Sequence, residues 1–252
     1  GGINVLTDPV FSQRASPVPW AGPRRMVPPG VAFDSLPPVD LVLQSHDHYD
    51  HLDDVSVRAL AARVPGAVWC VPLGLEQLVR KRGVGTVVEL DWFGEAEALP
   101  GVRVTCVPAR HFSGRSLTGR NATLWCGWTL EVGGYRVYFV GDSGHHPDFG
   151  EIGRRAGPFD LVMMPVGAYE PRWFMRPVHV DPEEAVAAFA AACDAHPSHR
   201  SRMVAMHWGI FVLTDEAVDE PPRRARAAWA ERGLPPDDLW VMAPGETRVV
   251  RP

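Results

Sequence analysis

Residues 39–51 read VDLVLQSHDHYDH. The first six form an apolar run of strand length that passes straight into Ser45, His46, Asp47 and His48. In an extended segment alternate side chains share a side, so positions 46, 48 and 50 bring two imidazoles and a carboxylate together at the strand's end. His51 follows where the chain turns toward a helix expected over 53–63, marked by Val55, Leu60 and Ala61. Imidazole and carboxylate are ordinary zinc ligands. Four such groups in six residues exceed what one catalytic zinc takes from a single segment, which points to two adjacent metals. A histidine-rich surface loop is the bland alternative, and the apolar strand feeding the cluster argues against it.

Further ligands should then close other strands, and they do. His111 follows an alternating run at 102–107, Asp142 follows 135–140 within Gly141-Asp142-Ser143-Gly144, and His207 follows 203–206. The remaining pattern is read as strands at 68–71, 86–90, 124–132, 159–164, 239–242 and 247–250, with helices at 73–82, 181–193 and 223–232. Gly133-Gly134 between two strand runs predicts a hairpin. Asp181 as N-cap, Pro182 in the first turn and Glu184 in a capping box open the helix at 181. Hairpins alternating with β-α units exclude a simple doubly wound parallel sheet and fit mixed α/β layers.

The 252 residues, 46% of them hydrophobic, suffice for a sizeable core, and the formal net charge of −5 gives no basic surplus for nucleic acid. Four dispersed cysteines, Cys70, Cys106, Cys126 and Cys193, contain no C-x-x-C pair and suit a reducing, cytoplasmic setting. No apolar run approaches the ~20 residues of a membrane span. The proline-rich stretch 9–38, with Trp20, Arg24 and Arg25 interleaved, is longer than an ordinary connection and is expected to be a packed covering loop.

The pattern H-x-H-x-D-H followed by isolated His, Asp and His resembles the metallo-β-lactamase superfamily. Within it, LTDPVFSQRASPVPWAGPRR (6–25), SHDHYDHLD (45–53), HFSGRS (111–116), GDSGHH (141–146), PVGAYEPRWFM (165–175), HVDPEEAV (179–186) and MHWGIFVLTDE (206–216) resemble the N-acylphosphatidylethanolamine-hydrolysing phospholipase D family. The resemblance implies an αββα sandwich of two mixed β-sheets flanked by helices, one domain over 1–252, with one or two N-terminal strands missing before the start at Gly1. It implies that His46, His48 and His111 hold one metal, that Asp50, His51 and His207 hold the other, and that Asp142 bridges them. It places His179 in the substrate pocket, against the headgroup. Val178 departs from the mammalian pattern, which carries an amide there.

Two Zn²⁺, five neutral histidines, two carboxylates and a bridging hydroxide sum to +1, which favours an anionic substrate. The expected reaction is attack of that hydroxide on a phosphodiester, releasing N-acylethanolamine and phosphatidic acid from an N-acylated phospholipid. Asp50, Asp142 and His179 are the residues expected to act in catalysis. Zinc suits this nitrogen-rich set; iron and manganese also bind mixed His/Asp sites. A bilayer substrate implies peripheral membrane contact. The alternatives are a lactonase or other ester hydrolase on the same centre and a non-catalytic, metal-stabilised binding module. Asp47 is expected to orient a ligand histidine, and His145, His146, His196 and His199 to lie in loops or at the surface. Tyr169, Trp173, Phe174 and Met175 read either as core or as an acyl-chain wall, with 17–20 opposite.

Overall fold

The computed structural model describes residues 2–115 and 119–250. Gly1, and Ser116 of the HFSGRS stretch, lie outside the described residues. Two sheets account for the strands. The first has the order β1-β2-β3-β4, formed by Val5–Thr7, Leu41–Leu43, Val68–Pro72 and Thr86–Leu90. The second has the order β11-β10-β9-β8-β7-β6-β5. Its strands are β5 (Glu95–Leu99), β6 (Val102–Val107), β7 (Gly127–Val132), β8 (Tyr135–Phe139), β9 (Leu161–Pro165), β10 (Arg202–Met206) and β11 (Leu239–Trp240).

Period-two alternation assigns the layers. Leu41, Leu43, Val68 and Cys70 point between the sheets, where they meet Val104, Cys106, Trp128, Leu130 and Phe139. Their neighbours Val42, Trp69 and Val71 point outward onto Val57 and Leu60 of α1 (Asp54–Arg63) and Val79 of α2 (Glu76–Arg80). Across the molecule, Tyr138, Val162 and Met164 face α3 (Asp148–Ala156), α5 (Pro182–Cys193) and α6 (Glu220–Glu231) through Phe149, Ile152, Val186, Phe189 and Trp229. A single turn, α4 (Arg172–Met175), precedes α5. The result is helix, sheet, sheet, helix, as expected.

The sheets differ in one respect from expectation. Every pairing in the first sheet is parallel, so it is not mixed. Its strands are joined only by crossovers, through the long stretch before β2 and through α1 and α2, and a crossover returns the chain in the same direction. The second sheet is mixed: β5 to β8 is an antiparallel meander, while β8, β9, β10 and β11 are parallel. The Gly133-Gly134 hairpin joins β7 to β8. The helix expected over 73–82 is confined to α2, and 247–250 forms no strand.

The caps follow the sequence. Asp53 accepts from Ser56 N to open α1, and Asp181 accepts from Glu184 N to open α5. Gly153 lets α3 approach α5 closely, because a Cβ there would stand 2.1 Å from the Ala192 carbonyl oxygen.

Leu60 is fully buried. Leu60→Ala is expected to lower unfolding free energy by about 2–5 kcal/mol. Asp181→Ala, which removes only a cap, is expected to cost about 1 kcal/mol. Urea titration of both variants checks the order.

Candidate metal centre

Strand polarity builds the site. In the second sheet β6, β8, β9 and β10 all run the same way, so their carboxyl ends open on one edge of the sandwich. Residues just past those ends, with those past β1 and β2, supply Asp8, His46, His48, Asp50, His51, His111, Asp142 and His207. The seven residues expected as ligands converge in two groups. His46, His48 and His111 form one, and Asp50, His51, Asp142 and His207 the other, with the ligand atoms of each group within 4.8 Å of one another.

The spacings suit a cation at each centre. His46 Nε2 and His111 Nε2 lie 2.9 and 3.1 Å from His48 Nδ1. In the second group His51 Nε2 lies 3.1 Å from His207 Nε2, and each lies 3.5 Å from Asp50 Oδ2. Ligand atoms about 3.3 Å apart are what a tetrahedral centre with bonds of ~2.0–2.1 Å requires. Asp142 stands between the groups: its Oδ2 is 3.0 Å from His51 Nε2, 3.8 Å from His111 Nε2 and 4.0 Å from His46 Nε2, and its Oδ1 is 3.3 Å from His207 Nε2. Buried Asp142 Oδ1 has no hydrogen-bond partner among the described residues. An orphaned buried carboxylate oxygen facing imidazole nitrogens fits a metal ligand.

The far sides of the rings fix which nitrogen faces inward. His111 Nδ1–H donates to the Val178 carbonyl at 2.9 Å, leaving Nε2 as a lone pair. His51 Nδ1–H donates to Asp8 Oδ2 at 2.6 Å. Ser45 Oγ donates to Asp8 Oδ2 and accepts from His46 Nδ1 at 2.8 Å, so His46 Nε2 also faces inward unprotonated. Burial pushes His46 well below its ordinary value and His111 down to about 3, keeping both neutral as ligands must be. Burial also pulls on His51, but Asp142 and Asp50 outweigh it and hold His51 well above its ordinary value. Burial would raise Asp142, yet His207, His51 and His179 hold its carboxyl well below the usual range. The two carboxylates thus draw positive charge to the point a divalent cation would occupy.

His179 takes a different position. Its Nε2 is 4.0 Å from Asp142 Oδ2, and its ring stacks on His207 and stands edge-on to His111. It therefore overhangs both groups, and burial lowers it to about 4.

The carboxylate that meets the rings is not the one expected. Asp47 touches no ligand histidine: it accepts from Gly114 N at 2.8 Å and Thr123 Oγ1 at 3.3 Å, pinning the loop that follows His111. Its side chain alternates away from 46 and 48, which is why it misses the rings. Asp8, passed over in the sequence, is the carboxylate that meets the His51 ring and, through Ser45, the His46 ring. The signal was its place at the end of an apolar strand, the rule that found the others. Asp8 and His207 both have left-handed backbone, with φ of 38° and 60°. Gly141 is left-handed too, at 66°, and a Cβ there would meet Ser45 Cβ at 2.8 Å, so glycine lets the Asp142 turn seat against the His46 strand end.

Other side chains fall out as follows. His146 lies in a loop, as expected, but is buried there, packed on Phe149. Tyr169 is core, its hydroxyl donating to Glu220, whereas Trp173 and Phe174 are 83% and 63% exposed and outside the core, Trp173 lining a separate cleft with Arg110 and His145. Ser143 is structural, accepting from Arg110 N and donating to the Gly144 carbonyl. The 9–38 stretch packs only in part: Phe11, Phe33 and Leu36 join the cluster under α1, and Arg25 is buried and bridges to Phe211, whereas Trp20, Met26 and Val31 are exposed. A cavity of about 220 Å³ opens on the second ligand group, lined by Val10, Arg25, Asp50, His207, Phe211 and Leu213 among others.

A family model described as the beta-lactamase superfamily domain matches residues 3–208. The chain belongs to the beta-lactamase superfamily. Superfamily relatives include an uncharacterized protein of Mycobacterium tuberculosis, 46% identical over 90% of this chain and 59% of that protein. N-acyl-phosphatidylethanolamine-hydrolyzing phospholipase D 1 of Caenorhabditis elegans is 40% identical over 87% of this chain and 63% of that protein. The chain thus spans roughly three-fifths of the length of these relatives. Among solved structures, an isothiocyanate hydrolase from Delia radicum gut bacteria superposes with a TM-score of 0.71 at 20% identity, over 97% of this chain and 92% of that one. The chain therefore combines a beta-lactamase superfamily domain with a His/Asp cluster able to hold metal.

Asp8→Asn, which removes the charge behind His51 and Ser45, is expected to weaken zinc binding about 10–100-fold. Asp47→Asn is expected to leave it nearly unchanged. Calorimetric zinc titration of the two variants distinguishes them.

Proposed function

We propose that this protein is a metal-dependent hydrolase, a phosphodiesterase of the phospholipase D type, cleaving N-acylated phospholipids to N-acylethanolamine and phosphatidic acid. The observation that carries the reading is the position of Asp142 between two complete ligand groups. A carboxylate so placed suits a pair of metals, and two metals suit in-line displacement at phosphorus. The 40% identity to the nematode phospholipase supports the choice of bond.

His46, His48 and His111 would hold one ion, Asp50, His51 and His207 the other, with Asp142 shared. Zinc fits these donors best. When bound, the two ions supply Lewis acidity toward a phosphoryl oxygen and a water acidified to near neutrality. The chain does the rest. With both ions bound and the protons of His51 and His207 displaced, five neutral histidines and two carboxylates leave two divalent ions a surplus of positive charge, so an anionic substrate is favoured over a neutral one. Asp8 keeps His51 and His46 in the ligating tautomer. Neutral His179, overhanging both groups, is in position to contact the substrate's phosphoryl group. The apolar lining of the neighbouring cavity, including Val10, Phe211 and Leu213, suits hydrocarbon.

Exposed Trp173 and Phe174 beside Arg172 and Arg176 support peripheral contact with a lipid surface. No helix of the described residues is long and apolar enough to cross a membrane.

Zinc-loaded protein is expected to hydrolyse an N-acylated phosphatidylethanolamine in mixed micelles. His48→Ala is expected to lower kcat/KM by about 10³-fold, the scale of the several kcal/mol that metal stabilisation contributes. Product analysis alongside a lactone panel checks the bond cleaved. Turnover of lactones without turnover of the phospholipid would overturn the reading, and loss of metal by His48→Ala with no activity in the parent would favour a binding module.

A further inference from the structure

Arg25 carries a charge that the metal centre leaves unexplained. It is only 9% exposed, and a guanidinium remains a cation in proteins. Buried charges are normally paired. Among the described residues Arg25 forms no ion pair. Its Nε–H donates to the Ser12 carbonyl at 3.1 Å, one terminal nitrogen donates to the Val10 carbonyl, and its flat face lies 4.8 Å from the centre of the Phe211 ring. Asp53 is the acid whose charge reaches it, and that carboxylate is already taken by the Ser12 hydroxyl and by Ser56 N.

The guanidinium is thus held rigidly on three sides with donors to spare, since it carries five N–H groups. The cavity it lines is the one lined by Asp50 and His207 of the second ligand group. Asp8 and Asp50 also line that cavity, but both are committed, Asp8 to Ser45 and His51, Asp50 to the ligand set. We propose that Arg25 is the oxyanion anchor of the substrate, pairing with a non-bridging phosphodiester oxygen beside the metal centre. This rests on the phosphodiesterase reading and deepens it. Arginine suits the task because its fork matches a phosphoryl group and its stacking on Phe211 keeps it desolvated. It also selects: a neutral ester in the same place would leave the buried charge unpaired.

The test compares Arg25→Met with the parent on two substrates sharing a leaving group, bis(4-nitrophenyl) phosphate and 4-nitrophenyl acetate, with zinc content measured on each protein. Binding of inorganic phosphate to the zinc-loaded proteins is read separately by calorimetry. The expected result is a loss of about 10–100-fold in kcat/KM for the phosphodiester, with a similar weakening of phosphate binding, at unchanged zinc content and little change on the neutral ester. Equal loss on both substrates would reduce Arg25 to a structural role and overturn the proposal, as would unchanged phosphate binding. If the parent turns over the acetate but no phosphodiester, the phosphodiesterase reading fails, and weakened phosphate binding by Arg25→Met still supports the anchor. Should Arg25→Met fail to fold, Arg25→Lys carries the same comparison. It keeps the charge but loses the fork, and is expected to lose phosphodiester turnover several-fold more than ester turnover.

Discussion

The carboxylate of Asp8 is the point on which the centre depends. One oxygen accepts from Gln44 Nε2 at 2.9 Å and Ser45 N at 2.7 Å; the other accepts from the Ser45 hydroxyl and His51 Nδ1. These bonds join the end of β1 to the end of β2 and fix the inward nitrogens of His51 and, through Ser45, of His46. The arrangement is buried, so the charge-assisted bonds are strong and an absent partner would be costly. The backbone at Asp8 is held in the left-handed region, where few non-glycine residues go, and His207 shares that conformation on the opposite wall. Strained residues on both sides of one cluster are what a preorganised site looks like.

Much of this was legible in the chain. The convergence of the candidate ligands could be read because their segments follow apolar strands, and strands that run the same way deliver their ends to the same edge. The helix after Asp53 and the helix after Asp181 were legible because cap and periodicity agree. Other parts lacked a local signal. Strand β5 is Glu-Ala-Glu-Ala-Leu, an edge strand whose Ala96 and Ala98 only skirt the core, so its apolar side is faint. Helix α3 contains Gly150 and Gly153, poor helix formers, and is fixed by Phe149 and Ile152 packing against α5. The run at 247–250 ends in two β-branched valines but finds no partner strand among the described residues. Strand propensity reports a side chain's fit to a pleated surface, not a neighbour to bond with.

The assignments at Asp8 and Asp47 were hidden for the same reason. Which carboxylate meets an imidazole depends on strands far apart in sequence lying side by side. Asp47 is one residue from two ligands and faces the 111–123 loop; Asp8 is 43 residues from His51 and touches it. Proximity along the chain was the wrong measure, and the strand-end rule was the right one.

The partition of the ligands between the two sheets has a thermodynamic consequence. His46, His48, Asp50 and His51 hang from the parallel sheet, while His111, Asp142 and His207 hang from the mixed one. Any cation shared between them is a staple across the layers, made only when the layers are correctly opposed. Its binding free energy is then counted in the folding of the whole sandwich, and it rises with metal concentration as ligand linkage requires. A metal held across the layers in this way would make the stability of the sandwich depend on metal concentration.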